Sequence, residues 1–73
     1  MLAPSIAFVD LETTGANPAV DRITEIAIVK VTDGKLDYRW SQLVDPEVPI
    51  PPLIQSFTGI SDDMVRGAPV FSR

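Results

Sequence analysis

Asp10 and Glu12 stand two residues apart in the stretch IAFVDLETTGANP, at the end of an apolar run. Side chains at i and i+2 of an extended strand point the same way, with Cα atoms roughly 6.6 Å apart. Two carboxylates so placed offer hard oxygen ligands to Mg2+ or Mn2+. Mg2+ commonly takes one or two protein carboxylates and completes its shell with water or phosphate oxygens. Two such ions about 3.5–4 Å apart activate a water and stabilise the leaving oxygen of a phosphodiester. This chemistry belongs at the open end of a strand, because unpaired carboxylates in mid-sheet carry a large desolvation cost. Two solvated acids at a strand end satisfy the same spacing, and D-x-E alone does not separate the two readings.

The elements that must hold these groups follow from periodicity. Residues 5–12 read as a strand with Ile6, Phe8, Asp10 and Glu12 on one face and Ala7, Val9 and Leu11 on the other. Both faces are apolar up to Asp10, the pattern of a central strand covered on both sides. TGANPAVDR is a loop punctuated by Gly15 and Asn17-Pro18. On its own, Thr13-Thr14-Gly15 reads as a turn, with glycine supplying positive φ and the hydroxyls bonding nearby backbone. RITEIAIVKV, residues 22–31, is a second strand. Asp33-Gly34 after it predicts a two-residue type I′ hairpin into a third strand over 35–44. There Leu36, Tyr38 and Trp40 alternate with Lys35, Asp37, Arg39 and Ser41, which predicts one wet face.

From Asp45 the character changes. DPEVPIPP holds four of the seven prolines and is neither a central strand nor a helix interior. Pro51-Pro52 open a short helix over 52–57. Ser61 caps a second, with Asp62 and Asp63 in its first turn and Gly67 beyond its end. APVFSR then looks like the approach to a further helix.

Composition narrows the chemistry. Seventy-three residues make at most one small domain, whose core rarely supplies more than about 3–5 kcal/mol. There is no Cys and no His, so disulfides and thiolate metal sites are excluded, along with the commonest general base. The net charge of −4 is no basic footprint of a nucleic-acid binder, although bound cations let an acidic protein approach a phosphate backbone. The longest apolar runs are far short of the ~20 residues needed to cross a bilayer. No membrane partner is expected, and the lack of cysteine agrees with a cytoplasmic location.

FVDLETTG resembles the first motif of the DEDD (DnaQ-like) family of 3′–5′ exonucleases, which includes the epsilon proofreading subunit of bacterial DNA polymerase III. DRITEIAIVKVTDGK resembles the family's second strand and hairpin. LVDPEVPIPPLIQSFTGISDDMV resembles its proline-rich crossing and the TGI segment that follows. The likeness runs in order over essentially the whole chain. It implies an α/β fold, the N-terminal fragment of an RNase H-like exonuclease fold, built as a three-stranded antiparallel meander followed by short helices. It also implies that Asp10 and Glu12 are catalytic, as two of four acidic ligands to a pair of Mg2+ or Mn2+ ions. The backbone of Thr13, Thr14, Gly15 and Ala16 would lie against the 3′-terminal nucleotide, with Phe57 and Thr58 lining the same end of the groove. From the residues alone, Phe57 reads as core, Thr58 as a turn cap, Glu25 as structural, and Tyr38 and Trp40 as packing. Leu53 stands where the family often carries an acid.

The family's second and third motifs, with two further Asp and a His or Tyr as general base, have no counterpart in residues 1–73. The expectation is therefore a partial exonuclease domain over 1–73. Its parent is a 3′–5′ exonuclease acting on DNA in proofreading or repair. Its ligand is a single-stranded DNA 3′ end or a nucleotide, and its partner a DNA polymerase or a fused nuclease or helicase domain. The isolated chain is expected to be inactive and, with apolar faces uncovered, to self-associate. An exoribonuclease of the same family and a nuclease-derived protein-interaction module remain as alternatives.

Overall fold

A computed structural model describes residues 4–17 and 19–71. Three strands, β1 (Ser5–Thr13), β2 (Ile23–Thr32) and β3 (Lys35–Leu43), form one antiparallel sheet in the order β1-β2-β3. Two short helices follow, α1 (Pro52–Thr58) and α2 (Asp62–Val65). This is the meander and helix pair expected from the pattern. The β2–β3 turn has φ of 53° at Asp33 and 76° at Gly34, the left-handed pair that a type I′ hairpin requires. The Asp33 amide donates to the Pro4 carbonyl at 2.9 Å, tying the turn to the chain ahead of β1.

The ladder is interrupted twice. Between Lys30 and Val31 the register shifts, so Tyr38 faces Lys30 while Leu36 faces Val31, leaving Asp37 as the extra residue. Its carboxylate accepts from the Thr32 hydroxyl at 3.0 Å and pairs with Lys30 at 3.7 Å. The clean alternation expected for β3 therefore breaks at Asp37. The second shift lies between Glu12 and Thr13, which face Glu25 and Ile23, so Thr24 is the extra residue on β2. Thr24 is 1% exposed, and its hydroxyl has no hydrogen-bond partner among the described residues.

β1 is an edge strand, not a central one, and Ile6, Phe8, Val9 and Leu11 are exposed on its two faces. Neither helix packs broadly on the sheet; α1 meets it through the cluster that Leu43 and Ile54 share. The apolar pattern of β1 is that of a doubly covered strand, but no described element provides the cover. The buried apolar side chains come after β3. Ile50, Ile60 and Val65 form one cluster, against which Leu43 and Ile54 pack. The result is elongated, 48 × 24 × 23 Å, with a radius of gyration of 14.7 Å; a compact domain of this length has about 11 Å.

Local chemistry explains the small core. Pro51 is extended and Pro52 opens α1, where a missing amide costs nothing. Gly59 ends the helix at φ 79°, its amide donating to the Gln55 carbonyl. Ser61 caps α2 by accepting from the Met64 amide at 3.3 Å. Asp62 draws the two ends together, accepting from the Ile50 amide at 2.8 Å and from Gln55 Nε2 at 3.1 Å. The approach to a further helix expected over 68–73 bends at Ala68 and then pairs at Val70. Val70 bridges Asp45 in parallel, and the Asp45 amide donates to the Pro69 carbonyl at 2.9 Å. A proline pushes its predecessor, here Ala68, towards extended backbone. The remainder of that segment, 72–73, and Pro18 of the expected loop punctuation lie outside the described residues.

Candidate functional site

The β1 register is continuous from Ser5 to Glu12, with Asp10 facing Ala27 and Glu12 facing Glu25. Asp10 and Glu12 therefore project from one face of the sheet, Asp10 exposed and Glu12 half-buried. No ion pair among the described residues involves either carboxylate. The register shift just after Glu12 disrupts pairing next to these acids, as bulges often do beside functional groups. Glu25, given a structural role from sequence, lies directly across from Glu12. Like charges in that relation repel, and a cation is what relieves such repulsion. No group of three acidic, His or Cys side chains is disposed to hold a metal ion among the described residues. Two hard carboxylates, accessible and without a competing cation, suit one edge of a Mg2+ or Mn2+ shell and no more than that.

The chain leaves the sheet at Thr13 and returns at Ile23 through a loop closed by its own side chains. The Thr13 hydroxyl donates to the Gly15 carbonyl. Thr14 is 3% exposed. Its hydroxyl donates to Asp21 Oδ1 at 2.9 Å and accepts from the Arg22 amide at 2.9 Å, while its own amide donates to the Arg22 carbonyl at 2.8 Å. The other Asp21 oxygen accepts from the Asn17 amide at 2.7 Å. Gly15 does not have the positive φ that a simple turn reading assigns to it. Ala16, exposed, sits at the loop's outer side. Asp21 is the residue that the sequence reading passed over. The available signal was the pairing of Asn17 and Asp21, two turn-forming residues bracketing a short loop, with glycine two positions before the first.

Phe57 and Thr58 end α1. Phe57 is 87% exposed, so the core reading of this side chain is corrected: the helix turns its Ile54 side to the apolar cluster and leaves Phe57 in solvent. Leu53, one turn earlier, is also exposed. The Thr58 hydroxyl donates to the Ile54 carbonyl at 2.9 Å and accepts from the Ile60 amide at 3.2 Å, the capping work expected of it. Glu12, Glu25 and Leu43 share one row across the sheet. Through Leu43, which packs on the same cluster as Ile54, α1 is anchored at the sheet end that carries the acids. Tyr38, facing Lys30, lies on the sheet face opposite to Asp10.

Comparison with known proteins agrees with this architecture. The family model described as exonuclease matches residues 7–73. A PolC-type DNA polymerase III of Lacticaseibacillus paracasei is 41% identical over 59 residues, covering 81% of this chain and 4% of that protein. The 3′-5′ exonuclease DinG of Staphylococcus saprophyticus is 39% identical over 71 residues, covering 97% of this chain and 8% of its own length. Among solved structures, Exonuclease X in complex with 5′ overhanging duplex DNA superposes with a TM-score of 0.77 at 38% identity, over 88% of this chain and 37% of that one. The chain thus spans a small part of the relatives it matches. A sheet of this order followed by short helices, with acids at the end of its first strand and a match to the family model over nearly its whole length, makes this chain a member of the DnaQ-like (DEDD) family of 3′–5′ exonucleases.

Proposed function

We propose that this chain is the first part of a metal-dependent 3′–5′ exonuclease domain that hydrolyses phosphodiester bonds at DNA 3′ ends in proofreading or repair. The observation that carries this reading is the pair Asp10 and Glu12, projecting from one face at the open end of β1 without a counter-cation. Bound there, Mg2+ or Mn2+ supplies Lewis-acid activation of water and of the phosphate. Asp10 and Glu12 hold the ions, and the backbone of Thr13–Ala16 orients the terminal nucleotide. Phe57 offers an exposed aromatic face to a base, and Thr58 fixes the helix end that presents it. The attacking water must lose a proton to a base within hydrogen-bond reach. These residues contain no His, and their single Tyr, Tyr38, faces away from Asp10. The base and the remaining acidic ligands therefore belong to residues outside the 73, and the isolated chain is inactive.

DNA as the substrate is supported by relatives that are a DNA polymerase and a DNA-bound exonuclease by name. Their length supports a parent in which this segment is joined to a polymerase, nuclease or helicase activity. The test is hydrolysis of a 3′-labelled single-stranded oligodeoxynucleotide, beside its RNA counterpart, by the full-length protein with Mg2+ or Mn2+. Asp10→Ala is expected to lower the rate at least about a hundredfold, since even groups one step removed from a metal cost 10–100-fold. Wild-type rates in that variant overturn the reading, and preferential cleavage of the RNA moves it to an exoribonuclease. The uncovered sheet faces favour a second reading, a protein-binding module without catalysis. Calorimetric Mn2+ binding that vanishes in Asp10→Ala counts against it. Self-association of the isolated chain is expected from the same faces and is read by sedimentation.

A further inference from the structure

We infer that Asp21 is a positioning residue of this site: it holds the Thr13–Ala16 loop in the shape that receives the terminal nucleotide while touching neither metal nor substrate. The inference rests on the nuclease reading above. Both carboxylate oxygens are engaged within the loop, Oδ1 by the Thr14 hydroxyl and Oδ2 by the Asn17 amide. Gly15 lies so close that a Cβ there would stand 2.6 Å from Oδ2 and 2.8 Å from Cγ. Its backbone is not left-handed, so the demand for glycine comes from the carboxylate packed against it. Thr14 passes the restraint to β2, bonding Asp21 through its hydroxyl and Arg22 through both hydroxyl and amide. Asp21 joins no group of three metal-ligating side chains among the described residues, and both of its oxygens are turned to the loop. What it fixes is the backbone that leaves β1 directly after Glu12.

Without Asp21 the loop is ordered only when the nucleotide arrives. That cost falls on binding and not on the chemical step. The test is steady-state hydrolysis of a single-stranded oligodeoxynucleotide by the full-length protein, with Mn2+ affinity measured separately by calorimetry in the absence of DNA. Asp21→Ala is expected to raise KM about tenfold, the scale of losing charge-assisted hydrogen bonds. Its kcat stays within about twofold, because the restraint lies outside the reacting groups. Mn2+ affinity is unchanged. Asp21→Asn keeps the shape, an acceptor for the Asn17 amide and a donor for the Thr14 hydroxyl, and restores most of the wild-type KM.

An unchanged KM in Asp21→Ala overturns the inference. So does an Asp21→Asn variant as impaired as Asp21→Ala with weakened Mn2+ binding, which makes the negative charge the point. If Asp21→Ala does not fold, Thr14→Val carries the test: a raised KM supports the role and a wild-type KM refutes it. Asp10→Ala separates this inference from the reading beneath it. Cleavage at wild-type rates in Asp10→Ala removes the nuclease site and the Asp21 role together. Loss of cleavage there, beside an unchanged KM in Asp21→Ala, removes the Asp21 role alone.

Discussion

The sheet and the segment after it are stabilised in opposite ways. β1, β2 and β3 have long ladders and apolar side chains on both faces, yet none of their apolar side chains is fully buried. Residues 44–65 have helices of seven and four residues and a run of prolines, yet they bury Val44, Pro46, Ile50, Ile60 and Val65. Backbone hydrogen bonds make a segment regular, whereas burial requires side chains to close on one another. The sheet has the first without the second. Its apolar faces are suited to a covering layer, while the proline-rich segment already encloses its own.

Substitutions can sharpen or break that contrast. The largest effect is expected at Ile50, 2% exposed, where Ile50→Ala destabilises the fold by about 2–5 kcal/mol. Val9→Thr on the open face of β1 changes stability by no more than about 0.5 kcal/mol in the 73-residue chain. Chemical denaturation followed by Trp40 fluorescence compares the two, and equal losses would show that the sheet is covered after all. Next comes Asp62→Ala, which frees the Ile50 amide and leaves Gln55 Nε2 with the Ile50 carbonyl as its remaining partner; it is expected to cost about 2 kcal/mol. Hydrogen exchange at the Ile50 amide locates that loss.

A smaller cost, about 1–2 kcal/mol of overpacking, is expected for Gly15→Ala, whose Cβ meets the Asp21 carboxylate. The double variant with Asp21→Ala should show a non-additive recovery in a double-mutant cycle. One further change has the opposite sign. Thr24→Val removes a buried hydroxyl without a partner among the described residues and should raise the melting temperature, by about 1 kcal/mol in stability.

Much of this was legible where a local rule acts alone. Asp33-Gly34 specified its turn because both residues tolerate positive φ. Pro52 and Ser61 marked the helix starts because their chemistry satisfies or removes a free amide. Asp10 and Glu12 share a face because alternation holds up to the register shift. Legibility failed where the outcome depends on what lies alongside. The apolar residues of β1 read as doubly covered, but a strand's own pattern does not say whether its neighbours are present. Phe57 read as core because aromatic residues usually are, and only the seating of α1 on Ile54 puts it outside. Asp21 stood in the sequence as one more residue of the TGANPAVDR loop. Its partners, Thr14 and Asn17, follow no periodic spacing; the Asn17–Asp21 bracket marks a loop, but only the loop's closed shape shows which atoms bond.

That closed shape is largely local. The side-chain hydrogen bonds described for it run between residues 13 and 22, and the β1–β2 pairing holds its two ends. A gene rearrangement that moves this stretch together with β1 and β2 carries these hydrogen bonds along with it. Such portability gives a physical reason why similar segments are found in proteins of very different length, occupying 4% of one and 8% of another.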